Sequence, residues 1–230
     1  MNISRKKISW QARLVPGGLI LLSLVPVIAG AARLTQLASG AEINAENARF
    51  FATPLPVVVH IISATLYALL GAFQFTASLR RWRPRWHRWL GRWILVPAGL
   101  AAAASGLWMA RFYPWPAGDG VLLYWLRLFF GAAMLAFIIR GALAARRRDF
   151  AQHGAWMIRA YAIGLGAGTQ VLTHIPWFLL GNGGAPDELS RAAMMGAGWV
   201  INWVVAEWVI WKRPSSHPRS IPNHLAKQVN

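Results

Sequence analysis

Six long apolar runs, separated by short segments crowded with arginine, constrain this chain more than any other feature. The runs fall at 15–32, 55–79, 93–110, 121–143, 156–180 and 192–211. At about 1.5 Å per residue, each covers a hydrocarbon core about 30 Å thick. Lipid offers no partner to a free peptide group, so each run is expected to be helical. The chain therefore reads as an all-α polytopic membrane protein. It has a bundle of six transmembrane helices within 1–213 and a polar, Pro-rich, disordered cytoplasmic tail at 214–230. Composition agrees, since only 13% of residues are charged, against about 25% in soluble domains.

The arginines set the orientation. The stretch 79–92, LRRWRPRWHRWLGR, holds six of them between two apolar runs. Arginine at the bilayer centre is costly, and short Lys/Arg-rich loops stay in the cytoplasm. This stretch is expected to be a cytoplasmic turn. Alternating the runs from there assigns nineteen of the twenty-four Lys and Arg residues to the cytoplasmic side. The outer loops keep Arg33, Arg49, Arg111 and Arg191, beside Glu42, Glu46, Asp119, Asp187 and Glu188. Both termini are then cytoplasmic, in a bacterial inner membrane. Ala29-Gly30-Ala31 could serve as a signal-peptide cleavage site, but the first run approaches spanning length and is read as an uncleaved helix. Topology sorts the +17 net charge, so nucleic acid is not an expected partner. Trp82, Trp86, Trp89, Trp93, Trp156, Trp208 and Trp211 form an expected inner aromatic belt; Trp115, Trp125 and Trp177 lie toward the outer face.

With no cysteine, thiolate metal sites and disulfides are excluded. Catalytic triads, phosphate loops and zinc-protease motifs are absent too. Histidine carries what chemistry the sequence suggests. His60 and His174 lie a turn or two into their runs from the outer side, and His87 and His153 sit at cytoplasmic ends. His153 and His174 are about 31 Å apart on one helix, nearly a membrane thickness. Imidazoles from facing helices suit axial ligation of haem iron, with arginine for the propionates. That makes haem b a candidate cofactor. His60 and His174 are its outer ligands, which could also hold another metal; His87 and His153 are inner ones, with Arg127 and Arg159 as anion partners. The plainer alternatives stay open. Interfacial histidines often only anchor, and a His60–His174 hydrogen bond needs no metal.

Other polar residues lie within the runs. Glu207 is the only acid in any of them, and Arg159 or Arg140 is its expected partner. Arg127 has no evident acidic partner in its span and would face an aqueous cavity or hold an anion, such as a propionate, a quinone oxygen or a substrate carboxylate. Gln74, Thr169, Gln170, Thr173 and Asn202 complete the set. Gly164-x-x-x-Gly168 is a small-x-x-x-small pattern, expected to let another helix approach closely.

The strings HIISATLYALLGAFQF at 60–75, RPRWHRWLGR at 83–92 and HGAWMIRAYA at 153–162 carry a resemblance. In them the chain resembles a bacterial family of multi-pass membrane proteins that carry a domain of unknown function. The likeness covers most of 60–211 and implies a membrane bundle, with no activity and no site residues. In architecture alone the plan is similar to two-haem cytochrome b-type transmembrane reductases. Those keep their ligands well inside four helices, whereas His87 and His153 fall at a boundary here. Three functions follow as expectations. One is haem-based electron transfer between a quinone or other redox partner and an outer acceptor. The second is a transporter or small-ligand or lipid-binding protein with an outward-facing polar cavity around His60, Arg127 and His174; the third is a non-catalytic assembly subunit. A homo-oligomer is compatible with each.

Overall fold

A computed structural model describes residues 11–75, 83–180 and 184–213. The tail 214–230, Trp82, Arg80 and Arg81 lie outside the described residues, as does the extreme N-terminus. The described chain is all-helical: α1 Gln11–Ser39, α2 Ala48–Ala52, α3 Pro54–Gln74, α4 Pro84–Leu90, a π-helical turn Gly91–Leu95, α5 Val96–Phe112, α6 Val121–Arg146, α7 Phe150–Gly164, α8 Gly166–Leu180 and α9 Glu188–Trp211.

Among the described residues, five helical segments are long and apolar enough to cross a membrane: Leu14–Ser39, Pro54–Gln74, Pro84–Phe112, Val121–Arg146 and Glu188–Trp211. Two differences from the sequence expectation have physical causes. From Pro84 onward the basic stretch is not a turn. It forms the first turns of a helix running through to Phe112, with Pro84 at the start, where its missing N–H costs nothing. Farther along, Pro97 can neither donate nor tolerate the carbonyl four residues back. The π turn Gly91–Leu95 lies immediately before it and widens the backbone there.

The second difference is in the fifth run, which is not one helix. It breaks at Leu165, between Gly164 and Gly166, into α7 and α8 of 15 residues each. Two glycines weaken helix propagation at that point. Two bonds flank the break: the Leu165 N–H donates to the Tyr161 carbonyl at 2.9 Å, and the Gly168 N–H donates to the Leu165 carbonyl at 3.0 Å.

The helices close a ring. α1 packs on α3, α3 on α5, α5 on α6, α6 on α7 and α9, α9 on α8, and α8 back on α1. Glycines set the closest approaches. A Cβ on Gly168 would lie 2.1 Å from the Leu22 carbonyl oxygen of α1. Pro26, inside α1, has no N–H to give that carbonyl its usual partner. The bare Cα of Gly168 covers it instead, a Cα–H···O contact. Gly164 and Gly166 serve other neighbours, Tyr67 of α3 and Trp199 of α9. Close approach at Gly164 and Gly168 was expected; contact with two different helices was not.

Polar groups inside the runs mostly join helices. The Tyr161 hydroxyl donates to the Ala68 carbonyl at 2.6 Å, its ring lying over Gly71. Thr169 donates to Asn202 at 2.7 Å, and Asn202 donates to the Ala162 carbonyl at 3.0 Å. Gln170 and Thr173 donate to the carbonyls of Met195 and Met194 on α9.

Candidate ligand cavity

A cavity of about 400 Å³ lies in the middle of the ring, bounded by α3, α5, α6, α7, α8 and α9. It runs from the 113–119 connection down to Met134 and Gly164. Small residues on α5, Ala102, Ala103 and Gly106, leave the space, because no long side chain fills it. His60 and Tyr67 reach it from α3. They are seven residues apart, two turns along one face.

His60 packs its ring edge on Gly106. Its Nδ1 is 2.9 Å from the Ala102 carbonyl oxygen and 3.2 Å from Ser105 Oγ. A carbonyl can only accept, so the proton is assigned to Nδ1 and Nε2 keeps its lone pair. Ser105 spends its own proton on the Ala101 carbonyl at 2.6 Å. Among the described residues, Nε2 has no hydrogen-bond partner. Tyr67 is only 6% exposed, its ring held between Gly99 and Gly164, and its hydroxyl likewise has no partner among the described residues. Both atoms open onto the cavity, where a small molecule or water can bond to them.

At the other end of the cavity stands a charged cluster. Asp119, with a side chain 2% exposed, accepts from Arg127 and, at 2.8 Å, from Arg191 Nε. The expectation that Arg127 has no acidic partner within its own span stands, but it is not unpaired. The partner comes from the loop before its helix, eight residues earlier. Phe50 carries the Arg33 and Arg49 guanidiniums at 4.5 and 4.6 Å from its ring centre. Tyr113 packs edge-on to the same ring and donates to the Thr53 carbonyl at 2.6 Å. Burial lowers the Arg49 pKa from its ordinary value; Asp119 opposes this, while Arg33 and Arg127 add to it.

Of the six residues the sequence offered for a cofactor, His60 and Arg127 line this cavity. His174 does not; its Nδ1 lies 2.6 Å from the Gln170 carbonyl of its own helix. His153 turns Nδ1 to the Gly141 carbonyl at 2.9 Å, away from this cavity, while His87 sits on α4 at the start of its long helix. Arg159 makes a two-pronged ion pair with Glu207 at 2.5 and 2.7 Å, and Trp203 Nε1 donates to the same carboxylate at 2.9 Å. Arg159 and Arg140 also stack on Trp156. Among the described residues, no three His, Cys, Asp or Glu side chains gather to hold a metal.

Sequence reasoning missed Tyr67, Asp119, Arg49 and Arg191. The seven-residue spacing from His60 could have found Tyr67. Asp119 and Arg191 are 72 residues apart, one in a loop and the other in the first turn of α9, and nothing in the sequence links them.

Residues 57–210 match the family model described as "Predicted membrane protein (DUF2306)", a domain of unknown function. The chain belongs to this family. No curated protein and no solved structure matches it. The DUF2306 segment contains His60, Tyr67, Asp119, Arg127 and Arg191, and so the cavity floor and the Asp119 pair. Arg33, Arg49 and Phe50 precede it.

Proposed function

We propose that this multi-pass membrane protein binds a small molecule in the central cavity, presented to the outer face of a bacterial inner membrane. One observation carries the reading. Two polar groups, His60 Nε2 and the Tyr67 hydroxyl, belong to residues lining a cavity of ligand size and have no partner among the described residues. Ligand sites are mostly apolar with a few convergent polar groups, which is the composition here. The arginine count supports the orientation, placing the Asp119 end outside and both termini in the cytoplasm. In this topology α7 and α8 cross together as one broken span, giving six crossings. Broken spans beside a central site are a recurring feature of transporters.

A second reading keeps one support. An imidazole with Nδ1–H tied to a backbone carbonyl is oriented as a metal ligand through Nε2. Haem b bound there would make the protein an electron carrier between a quinone or cytoplasmic donor and an outer acceptor. One experiment separates the two. The protein is purified in mild detergent, its absorption spectrum is recorded with and without reductant, and bound molecules are identified by native mass spectrometry and extraction. A colourless small molecule that is lost in Ala103→Phe and weakened in His60→Ala is the expected result. A Soret band abolished by His60→Ala would select haem. An empty cavity in protein purified from cells grown in rich medium, with no retained molecule, would sink both.

A further inference from the structure

We infer that the ligand is an amphipathic anion about 10 Å long. Its negative end sits between Arg49 and Arg127, and its polar far end reaches His60 Nε2 and the Tyr67 hydroxyl. This rests on the ligand-binding reading above and adds the ligand's charge and orientation.

The argument starts from charge balance at the mouth. Asp119 is shared by Arg127 and Arg191, so one carboxylate faces two guanidiniums. Arg49 forms no ion pair with any described residue; Asp119 attracts it, and Arg33 and Arg127 each repel it less strongly than that. Each guanidinium has five donors in a planar fork. Arg127 gives Asp119 only one of its own. A carboxylate or phosphate entering here would meet unused donors and relieve the repulsion, and such charge-assisted bonds are about twice as strong as neutral ones.

The walls below require an apolar body. Ala64, Ala103, Leu107 and Met134 give the cavity an apolar lining inside its charged mouth. Arg127 and Met134 are two turns apart on α6, about 10 Å along its axis. The floor then needs a hydrogen-bonding tip, because Nε2 accepts and the Tyr67 hydroxyl both donates and accepts. A purely hydrocarbon tail would leave both groups unsatisfied, and a dianion with charge at each end would bury one charge against apolar walls.

The test uses the full chain in phosphatidylcholine nanodiscs and two probes of the required length. They are 3-(4-hydroxyphenyl)propionate and its neutral primary amide, with binding measured by titration calorimetry. The carboxylate is expected to bind at least about tenfold more tightly than the amide. Arg49→Gln should shrink that advantage to less than about threefold, and Arg49→Lys should restore most of it, since the charge returns without the fork. Equal affinity for acid and amide, with both lost in Ala103→Phe, would overturn the anion inference and leave the ligand-binding reading standing. Binding of neither probe would overturn the inference, while the extraction experiment judges the broader reading on its own. A preference for the acid that survives both Arg49→Gln and Arg127→Gln would overturn the proposed seat. Repetition with phosphatidylglycerol in the discs distinguishes sources. Competition would assign the anion to a lipid headgroup, and undiminished binding would assign it to a soluble acid; either result supports an anionic ligand.

Discussion

The two ends of the bundle use the same residue types to opposite effect. At the Arg159 end, opposite groups satisfy one another: Arg159 with Glu207, Trp203 with the same carboxylate, and Arg140 and Arg159 on Trp156. At the Asp119 end, two arginines divide one carboxylate, and among the described residues a third has no ion-pair partner, while His60 Nε2 and the Tyr67 hydroxyl have no hydrogen-bond partner. A closed network stabilises without needing anything from outside. An incomplete one in the same bundle marks the place where an outside molecule completes it. This difference, more than histidine or arginine as such, separates scaffold from candidate site.

Asp119→Ala should break the comparison most severely, because it takes from Arg127 and Arg191 the buried carboxylate they share. Leaving an uncompensated charge after removing a buried partner costs about 3–5 kcal/mol. Arg127 and Arg191 keep 27% and 30% side-chain exposure, so some of that is recovered by solvation. The expected loss is about 2–4 kcal/mol, read as a lower melting temperature in detergent. A wild-type melting curve would show that Asp119 is no keystone.

Glu207→Gln tests the closed end and should cost less. The Glu207 side chain is 44% exposed, so screening reduces the effect to about 1 kcal/mol. A loss larger than that of Asp119→Ala would reverse the ranking of the two ends.

Two tyrosines sharpen the contrast within one cluster. Removing the bonded hydroxyl in Tyr161→Phe should cost about 1 kcal/mol. Tyr67→Phe removes a hydroxyl that has no protein partner, so ligand-free stability should stay within about 0.5 kcal/mol of wild type. Equal losses in thermal unfolding would mean that Tyr67 is bonded within the protein.

The smallest effect lies outside the membrane. Asp187 caps α9, accepting from the N–H groups of Leu189 and Ser190 and from the Ser190 hydroxyl. These bonds hold its carboxyl below the ordinary carboxylate value, with Ser190 the main contributor. A lowered pKa in the folded state stabilises above the unfolded value, near 4, and the stabilisation is lost as pH falls through the folded value. The melting temperature should therefore drop slightly on acidification below about pH 4, and Asp187→Asn should blunt that drop. A wild-type curve that rises through this window would contradict the cap.

Much of this was legible in the sequence because it depends on composition along the chain. Apolar runs placed the helices, and Glu207, the only acid in any run, had to find a cation; Arg159 was one of two choices. The cavity was expected around His60, Arg127 and His174; the first two line it and the third does not. What the sequence hid depends on rotation and on long-range meetings. His174 belongs to a run whose turn at Leu165 resets the facing of everything after it, and one sequence does not set that angle. Gly164 and Gly168 read as a single packing stripe, yet the break between them sends each to a different neighbour. The Asp119 pair joins a loop to a helix start far along the chain, and no periodicity records such a meeting.

The contact between Gly168 and the Leu22 carbonyl has one more consequence. It ties α1 to α8, which is made much later, across the seam where the ring shuts. α1 lies before the DUF2306 segment, so trimming the protein to its family boundary would leave the annulus without its final stave and open the seam to lipid. Synthesis runs in the same order: α1 must wait, inserted and unclasped, until α8 arrives to meet it.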